Sequence, residues 1–142
     1  MLKGQRIDVP GEENFMKLNC LIVSVALLLP AGLAMADGDP VAGAKVFKKC
    51  MACHTATEPT NKVGPSLMGI IGRPVASVEG YKYSSAMTAF GEGKVWDEAE
   101  LTAYLPKPQA LVKGTKMAFA GLKSEDDIAN VIAYLKDPSA AK

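Results

Sequence analysis

Residues Phe47–Ala56 read FKKCMACHTA. Cys50 and Cys53 stand two residues apart, and His54, the sole histidine of the 142-residue chain, follows the second cysteine directly. A stretch of this kind has three chemical readings. The residues around it decide between them.

A structural zinc ion takes about four Cys or His ligands. Beyond residue 36 this chain offers Cys50, Cys53 and His54, and two of those are adjacent, which suits a single tetrahedron poorly. A thioredoxin-like dithiol belongs at a strand-to-helix junction in a βαβ pattern. Upstream of the motif, DPVAGAKVFKKC instead has Asp39 as a cap, Pro40 at a first helical position and Val41, Ala44 and Phe47 at helical spacing. The third reading uses every element: C-x-x-C-H attaches haem c, with Cys50 and Cys53 as thioethers and His54 as the proximal imidazole on iron.

The start of the chain points to export, which suits covalent haem attachment. From Met16 it reads MKLNCLIVSVALLLPAGLAMA: one lysine, a largely apolar run from Leu21 to Leu29, Pro30 and Gly32, then Ala34-Met35-Ala36 as a small-residue cleavage site. The run is shorter than the ~20 residues of a spanning helix. We therefore expect residues 1–36 to be an N-terminal extension and secretory signal peptide, with Met16 as an alternative start and Cys20 inside the discarded segment. Residues 37–142 form the domain, exported to the periplasm of a Gram-negative source.

That domain carries thirteen Lys and Arg against twelve Asp and Glu, so its charge balance gives no reason to expect nucleic acid. The lysines are concentrated in two segments, 45–62 and 107–123. Helix signals recur after the first one. Ser84–Phe90 runs into Gly91; Asp97 caps a helix through Leu105 that Pro106 stops; and Ser124 opens a last helix with Ile128, Val131, Ile132 and Leu135 at i, i+3, i+4 and i+7 until Asp137-Pro138. No alternating strand run appears.

With one histidine, the second axial position on iron falls to a methionine, a lysine or an open site. Met51 lies inside the attachment loop, and Met68 and Met87 sit among apolar residues as gap-filling core would. Met117 stands in KGTKMAFAG, a Gly-punctuated, lysine-flanked stretch without helical period, where a core methionine is less expected.

CMACH at 50–54, VGPSLMGIIGR at 63–73, GYKYSSAM at 80–87, KVWDEAELTAYL at 94–105, KGTKMAFAGL at 114–122 and DIANVIAYLK at 127–136 follow one another in an order and spacing that resembles a class I c-type cytochrome of the mitochondrial and short bacterial kind. The resemblance covers essentially all of 37–142. It implies an all-α fold of about four helices wrapped around one covalently attached haem c, with His54 and Met117 as axial ligands. It further implies that Pro65 accepts the other ring N–H of His54, and that Arg73, Tyr83 and Trp96 hydrogen-bond a haem propionate. Tyr104 and Thr115 match neighbours of the axial sulfur and the propionates, Phe119 matches an aromatic at the haem edge, and Gly43 and Phe47 match first-helix positions packed near Val131 and Tyr134. Two residues depart from the pattern: Lys113 stands where relatives usually have proline, and Met87 where many carry asparagine.

An iron closed by His54 and Met117 leaves outer-sphere electron transfer, so the expected function is a soluble one-electron carrier, not an enzyme and not membrane-spanning once processed, working as a monomer. Its partners are membrane-bound or periplasmic redox proteins docking at Lys48, Lys49, Lys62, Lys113, Lys116 and Lys123 around the haem edge. The alternative is a haem enzyme or ligand sensor, peroxidase-like, in which the methionine is displaced.

Overall fold

Proline at a first helical turn and a carboxylate before it start the first helix. In the computed structural model, which describes residues 37–141, helix α1 spans Pro40–Phe47, and the Asp39 side chain accepts from the Val41 N–H at 2.8 Å. Helix α2 covers Ser85–Phe90 with Ser84 as its cap, α3 covers Glu98–Tyr104 capped by Asp97, and α5 covers Glu125–Lys136 capped by Ser124. The acids in the first turn of α5, Glu125, Asp126 and Asp127, sit at the positive end of its dipole.

Helix α4, Pro108–Leu111, was not expected. Four residues carry no period to read, and Lys107 caps it without a side-chain hydrogen bond. A 3₁₀ turn, Pro138–Ala141, follows α5. Among the described residues there is no strand, only an isolated antiparallel bridge between Pro74 and Val95. Around that bridge the Gly72 N–H donates to the Trp96 carbonyl at 2.8 Å, and the Trp96 N–H to the Arg73 carbonyl at 2.9 Å. The two backbone bonds hold the tryptophan in the core.

The crossing of α1 on α5 frames the domain. A Cβ at Gly43 would lie 1.9 Å from the Asn130 carbonyl oxygen, so no side chain fits there. The Phe47 and Tyr134 rings meet with centroids 5.1 Å apart, and the Asp39 N–H donates to Asn130 Oδ1 at 2.7 Å. Val131, 1% exposed, is among the most deeply buried of the described residues. Gly43 and Phe47 thus both meet Tyr134, one of the two α5 residues the resemblance named.

One core expectation is corrected. Met68 is 43% exposed, and the neighbouring Ile70 turns inward in its place; Met87, on α2, is buried as expected. The signal-peptide reading, Cys20 and the Met16 start lie outside the described residues. No helix among those described is long and apolar enough to cross a membrane.

Candidate cofactor site

The attachment motif continues α1. The Cys50 N–H donates to the Phe47 carbonyl at 2.8 Å, Cys53 N–H to the Cys50 carbonyl at 3.0 Å, and His54 N–H to the same carbonyl at 2.9 Å. A helical turn places side chains at i and i+3 on one side, and both thiols, free and half-buried, line a cavity of about 300 Å³. Burial pushes the Cys50 thiol up, with Lys49 opposing and Cys53 adding to the shift.

His54 lines the same cavity, held by residues ten and eleven positions further on. Its Nδ1–H donates to the Pro65 carbonyl at 2.7 Å. That bond assigns the proton to Nδ1 and leaves the Nε2 lone pair available. Burial lowers the imidazole pKa, and the Pro65 carbonyl works against it. Gly64 lies flat against the ring: a Cβ there would sit 2.3 Å from His54 Cε1 and 2.8 Å from each ring nitrogen. In the sequence alone Gly64 has an equally good reading as a turn residue, because the contact exists only once the ring is folded over it.

Met117 lines the cavity from the loop after α4. The Tyr104 hydroxyl donates to its Sδ at 3.4 Å, the Met117 N–H donates to Thr115 Oγ1 at 3.3 Å, and Gln109 Nε2 donates to the Met117 carbonyl at 3.2 Å. Burial pushes the Tyr104 phenol up, with the Thr115 hydroxyl acting against it. The Tyr104 and Trp96 rings stand 5.0 Å apart, and Phe90 packs on both.

Arg73, Tyr83 and Trp96 all face the cavity. Arg73 donates to the Met68 carbonyl at 3.0 Å and the Ser66 carbonyl at 2.8 Å, two commitments of its five N–H groups. Burial lowers the Arg73 pKa and nearby Tyr83 acts the other way, while burial raises the Tyr83 phenol, whose oxygen accepts from the Val78 N–H at 3.3 Å. The Trp96 indole N–H takes part in none of the hydrogen bonds among the described residues, although the ring is only 8% exposed. It is a donor open to a ligand. Phe119, half-buried, and Leu67 and Leu101 add apolar wall, and no Asp or Glu among the described residues lines the cavity.

The six lysines are placed unequally. Lys49 and Lys116 border the cavity. Lys49 pairs with Asp127 at 3.1 Å, Lys62 Nζ donates to the Met51 carbonyl at 2.9 Å, Lys116 Nζ to the Lys82 carbonyl at 2.8 Å and Lys123 Nζ to the Ala120 carbonyl at 3.5 Å. Lys48 and Lys113 are exposed. Two further residues line the cavity and were not singled out from the sequence. Val63 is 77% exposed yet lines the cavity, and the Tyr81 hydroxyl donates across to the Val63 carbonyl at 2.9 Å.

The residues fit a covalently attached haem. Two thiols share one face of a turn, an imidazole presents a free Nε2, a thioether reaches the same space, and the walls are mostly apolar with Arg73, Tyr83 and Trp96 as donors among them. Comparison with known proteins agrees. Residues 40–137 match the family described as cytochrome c. The chain is 53% identical over 116 residues to cytochrome c-554 of Methylosinus trichosporium, covering 81% of this chain and 86% of that one. It is 47% identical over 116 residues to cytochrome c2 of Rhodomicrobium vannielii, covering 80% and 90%. A solved structure, cytochrome cH from Methylobacterium extorquens, superposes with a TM-score of 0.64 at 40% identity, over 70% of this chain and 98% of that one.

Proposed function

The chain belongs to the cytochrome c family, and from that premise we propose that it is a soluble one-electron carrier, holding one haem c covalently and passing electrons between redox proteins. When bound, the haem supplies an iron couple that gains and loses one electron at a time. Everything else falls to the chain.

Cys50 and Cys53 would fix the ring to the turn after α1, so that the neighbouring His54 would be held against it with no loop to order. His54, its plane set by the Pro65 carbonyl and by the flat back of Gly64, would offer Nε2 to the iron. Met117 would offer a soft thioether as the second protein donor, and the Tyr104 hydroxyl on its sulfur orients a lone pair and draws off electron density. Arg73, Tyr83 and the open indole N–H of Trp96 are the donors for the propionate carboxylates. The apolar walls keep water away from the ring, which lowers the local dielectric and raises the weight of each of these dipoles.

The observation that carries this reading is a cavity lined by one imidazole with a free Nε2 and by the Met117 thioether, held by the Tyr104 hydroxyl, with no carboxylate in its described lining to serve as an acid or base. His54 and Met117 would each supply a donor to a bound haem iron. Partners, exported or membrane-bound redox proteins, dock at the lysine-bearing segments, with Lys49 and Lys116 at the border of the cavity, drawn in by opposite charge. The protein works in the periplasm once its N-terminal segment is removed.

Carbon monoxide added to the reduced protein at neutral pH tests the closed site. An unchanged absorption spectrum is expected. Rapid spectral change with saturation would move the function to the sensor or enzyme class, with Met117 displaced.

A further inference from the structure

Residues 61–66, which carry Gly64 and Pro65, are tied to the 78–83 segment at two points. The Tyr81 hydroxyl donates to the Val63 carbonyl at 2.9 Å, and Asn61 Nδ2 donates to the Glu79 carbonyl at 3.3 Å. The Tyr81 ring is itself fixed edge-on to Tyr83, with centroids 4.8 Å apart and planes at 73°. Within the loop, the Lys62 N–H donates to the Gly64 carbonyl at 2.9 Å, the Gly64 N–H to the Cys53 carbonyl at 2.8 Å, and the Ser66 N–H to Asn61 Oδ1 at 2.9 Å. This loop touches His54 twice, through the face of Gly64 and the carbonyl of Pro65. The Tyr81 bond lands one residue before the first contact and two before the second.

We propose that Tyr81 is a positioning residue for His54: by holding Val63, its hydroxyl keeps the Pro65 carbonyl in line with Nδ1–H and so sets how strongly the ring donates through Nε2. This rests on His54 being an axial ligand. A firm Nδ1–H···O=C bond makes the imidazole more basic, and a more basic ligand favours ferric over ferrous iron. Loosening the loop therefore shortens the lifetime of the Nδ1 proton and raises the reduction potential. Val63 is 77% exposed, so water can replace the Tyr81 hydroxyl on its carbonyl and the chain still folds when the hydroxyl is lost.

The test is Tyr81→Phe, which keeps the ring and removes the oxygen, in the mature haem-loaded protein. In the reduced state the His54 Nδ1 proton is followed by NMR during exchange into deuterium oxide, and the potential is measured by equilibrium titration. Removal of a hydrogen bond with a net worth of about 0.5–1.5 kcal/mol is expected to speed local opening, and hence exchange, by roughly two- to tenfold. The potential rises, while the Met117 methyl resonance and the exchange of α1 and α5 amides stay as in the parent. Equal Nδ1 exchange and equal potential in variant and parent overturn the proposal, as does acceleration no greater than that of the α1 and α5 amides, which is what a merely structural role gives. If the parent itself shows no ring-current-shifted His54 protons, axial ligation by His54 fails, and the proposal fails with it.

Discussion

Gly64→Ala puts a carbon 2.3 Å from His54 Cε1 and 2.8 Å from both ring nitrogens. Carbon atoms in contact sit about 3.5–4.0 Å apart, so ring and loop must separate by more than about 1 Å. The Nδ1···O distance to Pro65 is 2.7 Å, and a displacement of that size takes it past about 3.5 Å, where no hydrogen bond is left. Overpacking costs about 1–3 kcal/mol and the lost bond about 0.5–1.5 kcal/mol, which together give roughly 2–4 kcal/mol of lost stability. Guanidinium chloride unfolding of the haem-loaded protein, followed by far-UV circular dichroism, reads this directly. With a slope of about 3 kcal/mol per molar, the midpoint falls by roughly 0.7–1.3 M. Gly69→Ala is the control: its φ is +65° but nothing lies within 4 Å of its Cβ, so only the left-handed backbone penalty of about 1–2 kcal/mol applies and the His54 signals stay in place. A Gly64→Ala midpoint within about 0.2 M of the parent, with the Nδ1 proton unmoved, would refute the claim that this glycine seats the histidine.

Two further outcomes follow from other parts of the molecule. Ala76 holds φ at 58°, the only non-glycine residue with positive φ among those described; Ala76→Gly removes a strain of about 1–2 kcal/mol against a chain-entropy cost of about 0.4–1 kcal/mol, so urea unfolding should show a gain of roughly 0.5 kcal/mol, and a loss above about 1 kcal/mol would contradict it. Electron exchange with an acidic redox partner should slow as salt is raised from about 0.01 to 0.3 M, because the Debye length shrinks from about 30 Å to less than 10 Å; a flat rate would remove the docking role from Lys48, Lys49, Lys62, Lys113, Lys116 and Lys123.

What the sequence disclosed follows from how each feature is encoded. Helices α1, α2, α3 and α5 were readable because their caps, Asp39, Ser84, Asp97 and Ser124, and the apolar period of α5 are local signals. Helix α4 escaped because one turn shows no period. Met68 and Ile70 stand in the same apolar stretch, and composition alone does not tell which one turns inward. At the site, CMACH announced its chemistry in five residues, and Met117 stood out by its irregular surroundings. Gly64 and Tyr81 did not, since one acts through a ring ten residues away and the other through a carbonyl eighteen residues away. The lysines were countable, but their individual ties to Asp127 and to the carbonyls of Met51 and Lys82 depend on neighbours brought together only by folding.

The central claim is that the cavity closes iron between His54 and Met117. Near-infrared absorption of the ferric mature protein tests it most directly, because sulfur bonded to low-spin ferric haem gives a weak charge-transfer band there. The parent is expected to show that band together with sharp low-spin visible bands, and Met117→Ala is expected to lose it. Absence of the band in the parent, or its persistence in Met117→Ala, would contradict the assignment.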